Sequence, residues 1–281
     1  MKGGAERANL SRRAGSYVAL VLFALLAVFP IVQLVGIALR PADQLLSTSL
    51  RPIPAGATLE NFRVLLTETP FLRWLFNSTV IALAVTITGV ALASTAAYAL
   101  SRSKFPGRSP LLSGVLITQL FPATLLLVPL YVILFHLGLL NSYLGVIILY
   151  SATALPFCIW QLKVFYDTIP VELEEAAVID GCSRWQAFRL VVLPLAGPAL
   201  AIAALFSFIT AWNEYVIAAV VLRDVEIFTV PVGLRMFEAN MNTQWGLYAA
   251  GALLVAIPVV ALFGVLSRSL LPGLPSHISK G

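Results

Sequence analysis

Charge is what this sequence has least of. Of its 281 residues only 11% are Asp, Glu, Lys or Arg, where soluble domains carry about 25%. Lysine occurs only at Lys2, Lys104, Lys163 and Lys280, and none of them closes a Gly-rich phosphate loop of the Gly-Lys-Ser/Thr kind. The chain is therefore not expected to bind or hydrolyse ATP itself. Histidine is confined to His136 and His277, near the ends of apolar runs. There is no His-Glu-x-x-His, and no Ser/His/Asp set can be built on them. No catalytic residue is identified, and the expectation is a protein that is not an enzyme. Cysteine is confined to Cys158, in an apolar run, and Cys182, in a polar one. The two read as unpaired packing residues, and neither they nor the histidines have metal-ligand spacing. The net charge is +5, yet the bases sit at the ends of apolar runs, not in one patch, which excludes a nucleic-acid partner. The period-2 alternation of a membrane β-barrel is also missing, as are internal repeats and low-complexity tracts.

What is abundant is apolar length. Hydrophobic residues make up 59% of the chain, and the mean hydropathy is +0.93. Apolar runs of eighteen or more residues recur, each long enough to cross a hydrocarbon core of about 30 Å as a helix. The expected fold class is an all-α polytopic membrane protein with six transmembrane helices, at about 17–39, 75–100, 110–135, 143–165, 197–222 and 245–271. A basic segment, 1–16, precedes them and a tail, 272–281, follows. The first run is too long for a signal-peptide core and lacks a small-residue cleavage pattern, so it is taken as an uncleaved span. The N-terminal segment, the 101–109 link, the 167–195 segment with Lys163, and the tail with Arg268 just ahead of it together hold twelve Lys and Arg; the alternate loops, 40–74, 136–142 and 223–245, hold six. The positive-inside rule then places both termini and the 167–195 segment in the cytoplasm.

The longest polar interruption in the second half, Glu172 to Pro194, carries the signals of two short helices. Pro170 suits a first helical turn, where its missing N–H is unpaired in any case. Val171 to Asp180 are helix formers on balance, with acids at the positive N-terminal end. Gly181 sits where a helix wants a residue able to take positive φ. Ser183 with Gln186 three residues on makes a capping box. Trp185, Phe188 and Val192 then line one face, and Pro194 closes the second helix. The outer surface offers Glu172 and Glu175 beside the small pair Ala176-Ala177, over which another protein's backbone can approach closely; a merely solvated amphipathic hairpin is the alternative.

One ionisable residue lies deep in an apolar run. Glu214, in Ala211-Trp212-Asn213-Glu214-Tyr215, falls in the outer half of the fifth span. A carboxylate there is costly and marks either a pathway or a hydrogen-bonded structural site. Trp212 and Tyr215 beside it suit stacking on sugar rings or an interfacial aromatic belt. Pro122, Pro129, Pro156 and Pro258 lie within apolar runs, as kinks that serve packing or gating.

The spacing Glu175-Ala176-Ala177, three residues, Gly181, nine residues, Val191, one residue, Leu193-Pro194 resembles the EAA loop of ABC importer permeases. Asn77-Ser78, Ala97 to Arg102 with Phe105-Pro106-Gly107, Phe121-Pro122-Ala123, Glu174 to Pro194, Leu222 to Val225 and the Lys-Gly end are similar to carbohydrate-importer permeases. Together they extend the resemblance, over essentially the whole chain, to the second permease subunit of maltose/maltodextrin-type importers. It implies an inner-membrane subunit that moves a sugar inward, paired with a larger homologous permease, two copies of an ABC ATPase and an extracytoplasmic sugar-binding protein. The chain itself would hold no cofactor, ATP and Mg belonging to the ATPase. Glu172, Glu175, Ala176, Ala177, Asp180 and Gly181 would form the ATPase-docking surface, with Asp180 and the Trp185/Phe188 face holding the two helices together. Trp212, Asn213, Glu214 and Tyr215 would line the translocation pathway. Arg223, Asp224, Val225 and Gly233, in the loop Arg223 to Gln244, would meet the binding protein, and the tail would touch the ATPase dimer. Two departures stand out. The Trp-Asn-Glu-Tyr pattern is shared with permeases for other sugars, so trehalose, glycerol phosphate or another oligosaccharide is an alternative substrate. The tail reads Gly273-Leu274-Pro275-Ser276-His277, where a Gly/Ala-rich run is usual. An ion-coupled secondary carrier is a further alternative, which would need membrane-embedded charge pairs.

Overall fold

The computed structural model describes residues 2–41, 51–238 and 244–270, and among these there is no strand. The segments 42–50 and 239–243 and the tail from residue 271, with its His277, lie outside the described residues. Among the described residues four helices are long and apolar enough to cross a membrane: Gly15–Ala38, Phe71–Arg102, Tyr143–Tyr166 and Trp245–Ser267. Two bent pairs, Arg108–Leu120 with Thr124–His136 and Arg184–Leu195 with Gly197–Asn213, raise the number to six if each counts as one crossing.

The chain divides into two compact units, one of residues 1–69 and 234–254 and the other of residues 70–233 and 255 onward. In the first, α1 (Lys2–Ala38) carries the first apolar run, with Pro30 inside it. The loop expected after it is not featureless, because it holds α2 (Glu60–Glu68). Asn61 at the start of α2 donates its side-chain amide to the carbonyls of Ala38 and Arg40, each at 2.9 Å, and so caps the end of α1.

In the second unit, α3 (Phe71–Arg102), α6 (Tyr143–Tyr166) and α10 (Gly197–Asn213) form a three-helix core. One apolar cluster joins Ile81, Val85, Leu149, Tyr150, Phe208 and Trp212. A second joins Ala93, Ala97, Cys158, Leu162, Tyr166, Phe188, Val192 and Ala203. The pairing makes α3 and α6 parallel and α10 antiparallel to both. Small residues on α3, Ala82, Gly89, Ala93 and Ala97, recur at helical spacing and are buried, which lets the helices approach closely.

Two apolar runs are broken where continuous helices are expected, and a third starts earlier. The 110–135 run is broken into α4 (Arg108–Ile117), two 3₁₀ turns (Thr118–Leu120 and Ala123–Leu126) and α5 (Leu127–His136), with a bend of 93°. Phe121 is extended, φ −85° and ψ 123°, because the ring of Pro122 disfavours the helical region for the residue before it. In the 197–222 run, α10 stops at Asn213, Glu214 is extended with ψ 125°, and a short α11 (Val216–Val221) follows. The second run begins at Phe71, not Leu75, with Pro70 in the capping position.

Candidate functional site: a helical knob between α6 and α10

Between α6 and α10 the chain folds into α7 (Glu172–Ile179), α8 (Arg184–Ala187), a π turn (Phe188–Val192) and α9 (Leu193–Leu195). Glu172, Glu174 and Glu175 occupy the first turn of α7, where carboxylates meet the positive end of the helix dipole. Gly181 has φ +94°. The Cys182 N–H reaches back to the Ala177 carbonyl at 2.9 Å and the Gly181 N–H to Val178 at 3.0 Å, the two bonds of a Schellman stop. Ser183 then accepts from the Gln186 N–H at 3.3 Å while the Gln186 side chain accepts from the Ser183 N–H at 2.7 Å, so both halves of the capping box are present. Pro194 does not close this helix; it sits inside α9. Lacking an N–H, it removes the donor Leu190 needs, and the ladder upstream shifts to the wider π register.

The knob is fixed to the helix core unevenly. The Phe188 ring is buried and lies 4.4 Å from the Tyr98 ring, centroid to centroid. Trp185, expected on the same buried face, is 60% exposed and touches Phe188 only from outside, at 5.3 Å. In α7 the single buried residue is Glu174, which the sequence reading passed over. Its carboxylate takes a hydrogen bond from Arg102 Nε at 2.6 Å and from the Tyr98 hydroxyl at 2.7 Å. Arg102 also donates to the Ile169 carbonyl at 3.0 Å. Beside this cluster Asp167, just past α6, accepts from Ser101 at 2.7 Å and Lys163 at 2.5 Å. Burial raises the Asp167 carboxyl, but the hydrogen bonds from Lys163 and Ser101 outweigh it and hold it below the ordinary aspartate value.

The residues expected to form a docking surface come together. Glu172, Glu175, Ala176, Asp180 and Gly181 are exposed and Ala177 is half-buried. Val178 and Ile179 add an apolar patch that the sequence reading missed, Ile179 being 85% exposed. A groove of about 680 Å³ runs beside α7, with Tyr98, Arg102 and Lys104 on one wall and Glu175, Ile179 and Arg184 on the other. The apolar pair Val178-Ile179, set directly before Asp180, is the sequence signal available for this patch.

The other two expected groups are placed differently. Trp212 is buried and stacks on Phe208 at 5.3 Å within the core, so its ring offers no face to a sugar. Asn213 is exposed and Tyr215 half-buried. The Glu214 carboxylate accepts from the Ile217 N–H at 3.0 Å and the Ala218 N–H at 3.3 Å; it caps α11, the hydrogen-bonded structural alternative for this residue. At the opposite end of α3, the loop after α11 is tightly held. Asn141 accepts from the backbone of Arg223 at 2.8 Å and Asp224 at 3.1 Å. The Trp74 indole donates to the Val225 carbonyl at 2.9 Å, and Asn77 donates to the carbonyls of Glu226 and Phe228, each at 2.9 Å. Gly233, within α12 (Val230–Arg235), lies against the Trp74 ring so closely that a Cβ would stand 2.2 Å from it; its place is in the packing and not on the surface. Among the described residues no group of three His, Cys, Asp or Glu side chains is arranged to hold a metal.

The chain is similar to known proteins over most of its length. Residues 89–274 match the family described as binding-protein-dependent transport system inner membrane component. The maltose/maltodextrin transport system permease protein MalG of Yersinia pestis is 39% identical over 96% of this chain and 94% of its own length. Its counterpart in Escherichia coli strain K12 is 38% identical over 95% of each. The diacetylchitobiose uptake system permease protein DasC of Streptomyces coelicolor is 33% identical over 98% of this chain and all of its own. A chain from the crystal structure of a bacterial ABC transporter involved in the import of the acidic polysaccharide alginate shares the fold, with a TM-score of 0.81, covering 93% of this chain and 97% of that one at 24% identity.

Proposed function

The chain belongs to the binding-protein-dependent transport system inner membrane components, and on that premise we propose that it is the sugar-conducting permease subunit of an ATP-driven importer, with the knob as the seat of the ATPase. The observation that carries this reading is the exposed surface of α7. Acids, Ala176 and Ile179 stand out beside a capped turn, in a chain without any nucleotide-binding loop of its own. Energy must then come from another polypeptide, which holds ATP and Mg, and a second permease completes the pathway. The six apolar runs make six crossings, each bent pair counting as one. With the Lys and Arg distribution, both termini and the knob lie in the cytoplasm, and the loop from Arg223 faces the extracytoplasmic binding protein.

The substrate class is maltose or a maltodextrin, supported by the relatives of 38–39% identity that carry that name. The relative named for diacetylchitobiose uptake favours one second reading, another short oligosaccharide. Co-purification of the chain from membranes with the ATPase and the larger permease tests the docking role. Glu175→Lys is expected to release the ATPase while the permease pair stays together. Retention of the ATPase by that variant would place the docking energy elsewhere.

A further inference from the structure

We infer that Arg102, Tyr98 and Glu174 form a latch that makes α3 the strut between the knob and the loop at the far end of the helix bundle. This rests on the docking reading just given and adds positioning residues to it.

The argument starts from what holds α7 down. Of its eight residues Glu174 alone is buried, while Leu173, Val178 and Ile179 are exposed. No apolar side chain of α7 is sunk into the core, so the helix is fastened to the bundle through one carboxylate. That carboxylate is doubly held by α3: the Arg102 Nε at 2.6 Å on one oxygen and the Tyr98 hydroxyl at 2.7 Å on the other. The ion pair is sheltered, with the Arg102 side chain 13% and the Glu174 side chain 9% exposed. Arg102 simultaneously ties down the Ile169 carbonyl, just ahead of α7. A planar guanidinium that spans two acceptors resists rotation as well as separation.

The far end of the same helix is fastened with equal care. Trp74 and Asn77, in the first two turns of α3, hold three carbonyls of the 225–228 segment, and Ser78 accepts from the Val230 N–H at 2.8 Å. The helix that carries both clamps, α3, runs unbroken for 32 residues and contains no proline. By contrast, the runs around Pro122 and Glu214 are broken. A straight helix of that length spans roughly 48 Å at 1.5 Å per residue. A displacement of the knob is therefore delivered by α3 to the loop, and a partner settling on the loop is felt at the knob through the same rod.

The test uses the whole importer, both permeases, the ATPase and the binding protein, in lipid vesicles. Replacing both latch partners by apolar residues of similar size, Arg102→Met with Glu174→Leu, keeps the packing and deletes the tie. The ATPase is expected to co-purify as with the wild-type chain. Stimulation of ATP hydrolysis by sugar-loaded binding protein, and sugar uptake per ATP hydrolysed, are expected to fall about tenfold, inside the range of coupling between distant sites. Wild-type stimulation and uptake in an assembled complex overturn the latch. If the double variant fails to assemble, Tyr98→Phe decides, since it removes one hydroxyl: a several-fold loss of stimulation supports the latch and no loss overturns it. Failure of the docking reading is recognised separately, by an ATPase that stays bound when Glu175 carries the reversed charge.

Discussion

At the scale of single residues the functional surface depends on a few backbone and capping requirements. Gly181 holds φ +94° with open space around it, so substitution there is opposed by backbone strain and not by a clash. Gly181→Val should cost about 1–2 kcal/mol at the turn and let α7 and α8 change their mutual angle. The expected readout is ATP hydrolysis that continues while sugar uptake drops; an unchanged ratio would remove the turn from the coupling path. Glu214 poses the opposite case, a carboxylate in an apolar run whose task is a helix cap. Glu214→Gln keeps an oxygen for the Ile217 N–H and should leave both assembly and transport within about twofold. Glu214→Leu loses the cap, at about 1 kcal/mol of stability, visible as a lowered melting temperature in detergent. Abolished uptake in an assembled Gln variant would return the carboxylate to the pathway. The glycine was legible because Schellman stops are written in adjacent residues. Glu174 was not, because its meaning depends on Arg102, 72 positions away, and no local pattern distinguishes it from Glu172 or Glu175.

At the scale of elements, the knob shows where sequence reading succeeds and where it stops. The first helix, the glycine turn and the capping box all lie within contacts of a few residues, whereas the second helix, expected to close at Pro194, runs on as a π turn and α9. The broken runs were less legible. Pro122 gave a signal for a kink, but whether a proline bends a helix or dissolves a turn is decided by its neighbours, here two 3₁₀ turns. Nothing comparable marks Asn213-Glu214, where the chain leaves the helix without a proline. The link between α6 and the knob also carries a pH dependence. The Asp167 carboxyl is held below its ordinary value by Lys163 and Ser101, so its contribution is complete above the unfolded-state value and is lost as pH falls through the lower folded one. The protection factors of the amides of residues 167–169 and 171, corrected for intrinsic exchange, should therefore hold from neutral pH down to about 4, the ordinary range for aspartate, and should fall below it. A fall already near pH 6 would point to a different group.

At the scale of the whole molecule the remaining question is sidedness, and the two cysteines answer it without engineering. Cys158 is buried in the core and Cys182 is half-buried in the knob. A membrane-impermeant maleimide should label inside-out vesicles and spare right-side-out ones, with Cys182 as the modified residue. Labelling of right-side-out vesicles would invert the orientation. Composition alone was enough for the class of molecule, since 11% charge and 59% hydrophobic residues leave little but a helical membrane protein. The division into two units, and the helix α2 inside a loop that reads as polar and Pro-rich, were not foreseeable. They rest on long-range contacts such as that of Asn61 with the end of α1.

The turn between α7 and α8 has a consequence for the order of events during synthesis. Every hydrogen bond that shapes it joins residues at most five positions apart, so it needs no partner from elsewhere in the chain. A ribosome adding roughly 5–20 residues per second passes the stretch from Pro170 to Pro194 in about 1–5 seconds, and local turns close far faster than that. The bonds of this turn can thus close before α10 has been made, and Arg102, translated some seventy residues earlier, is already waiting for Glu174, whereas Phe188 and Val192 find their α10 neighbour Ala203 only later.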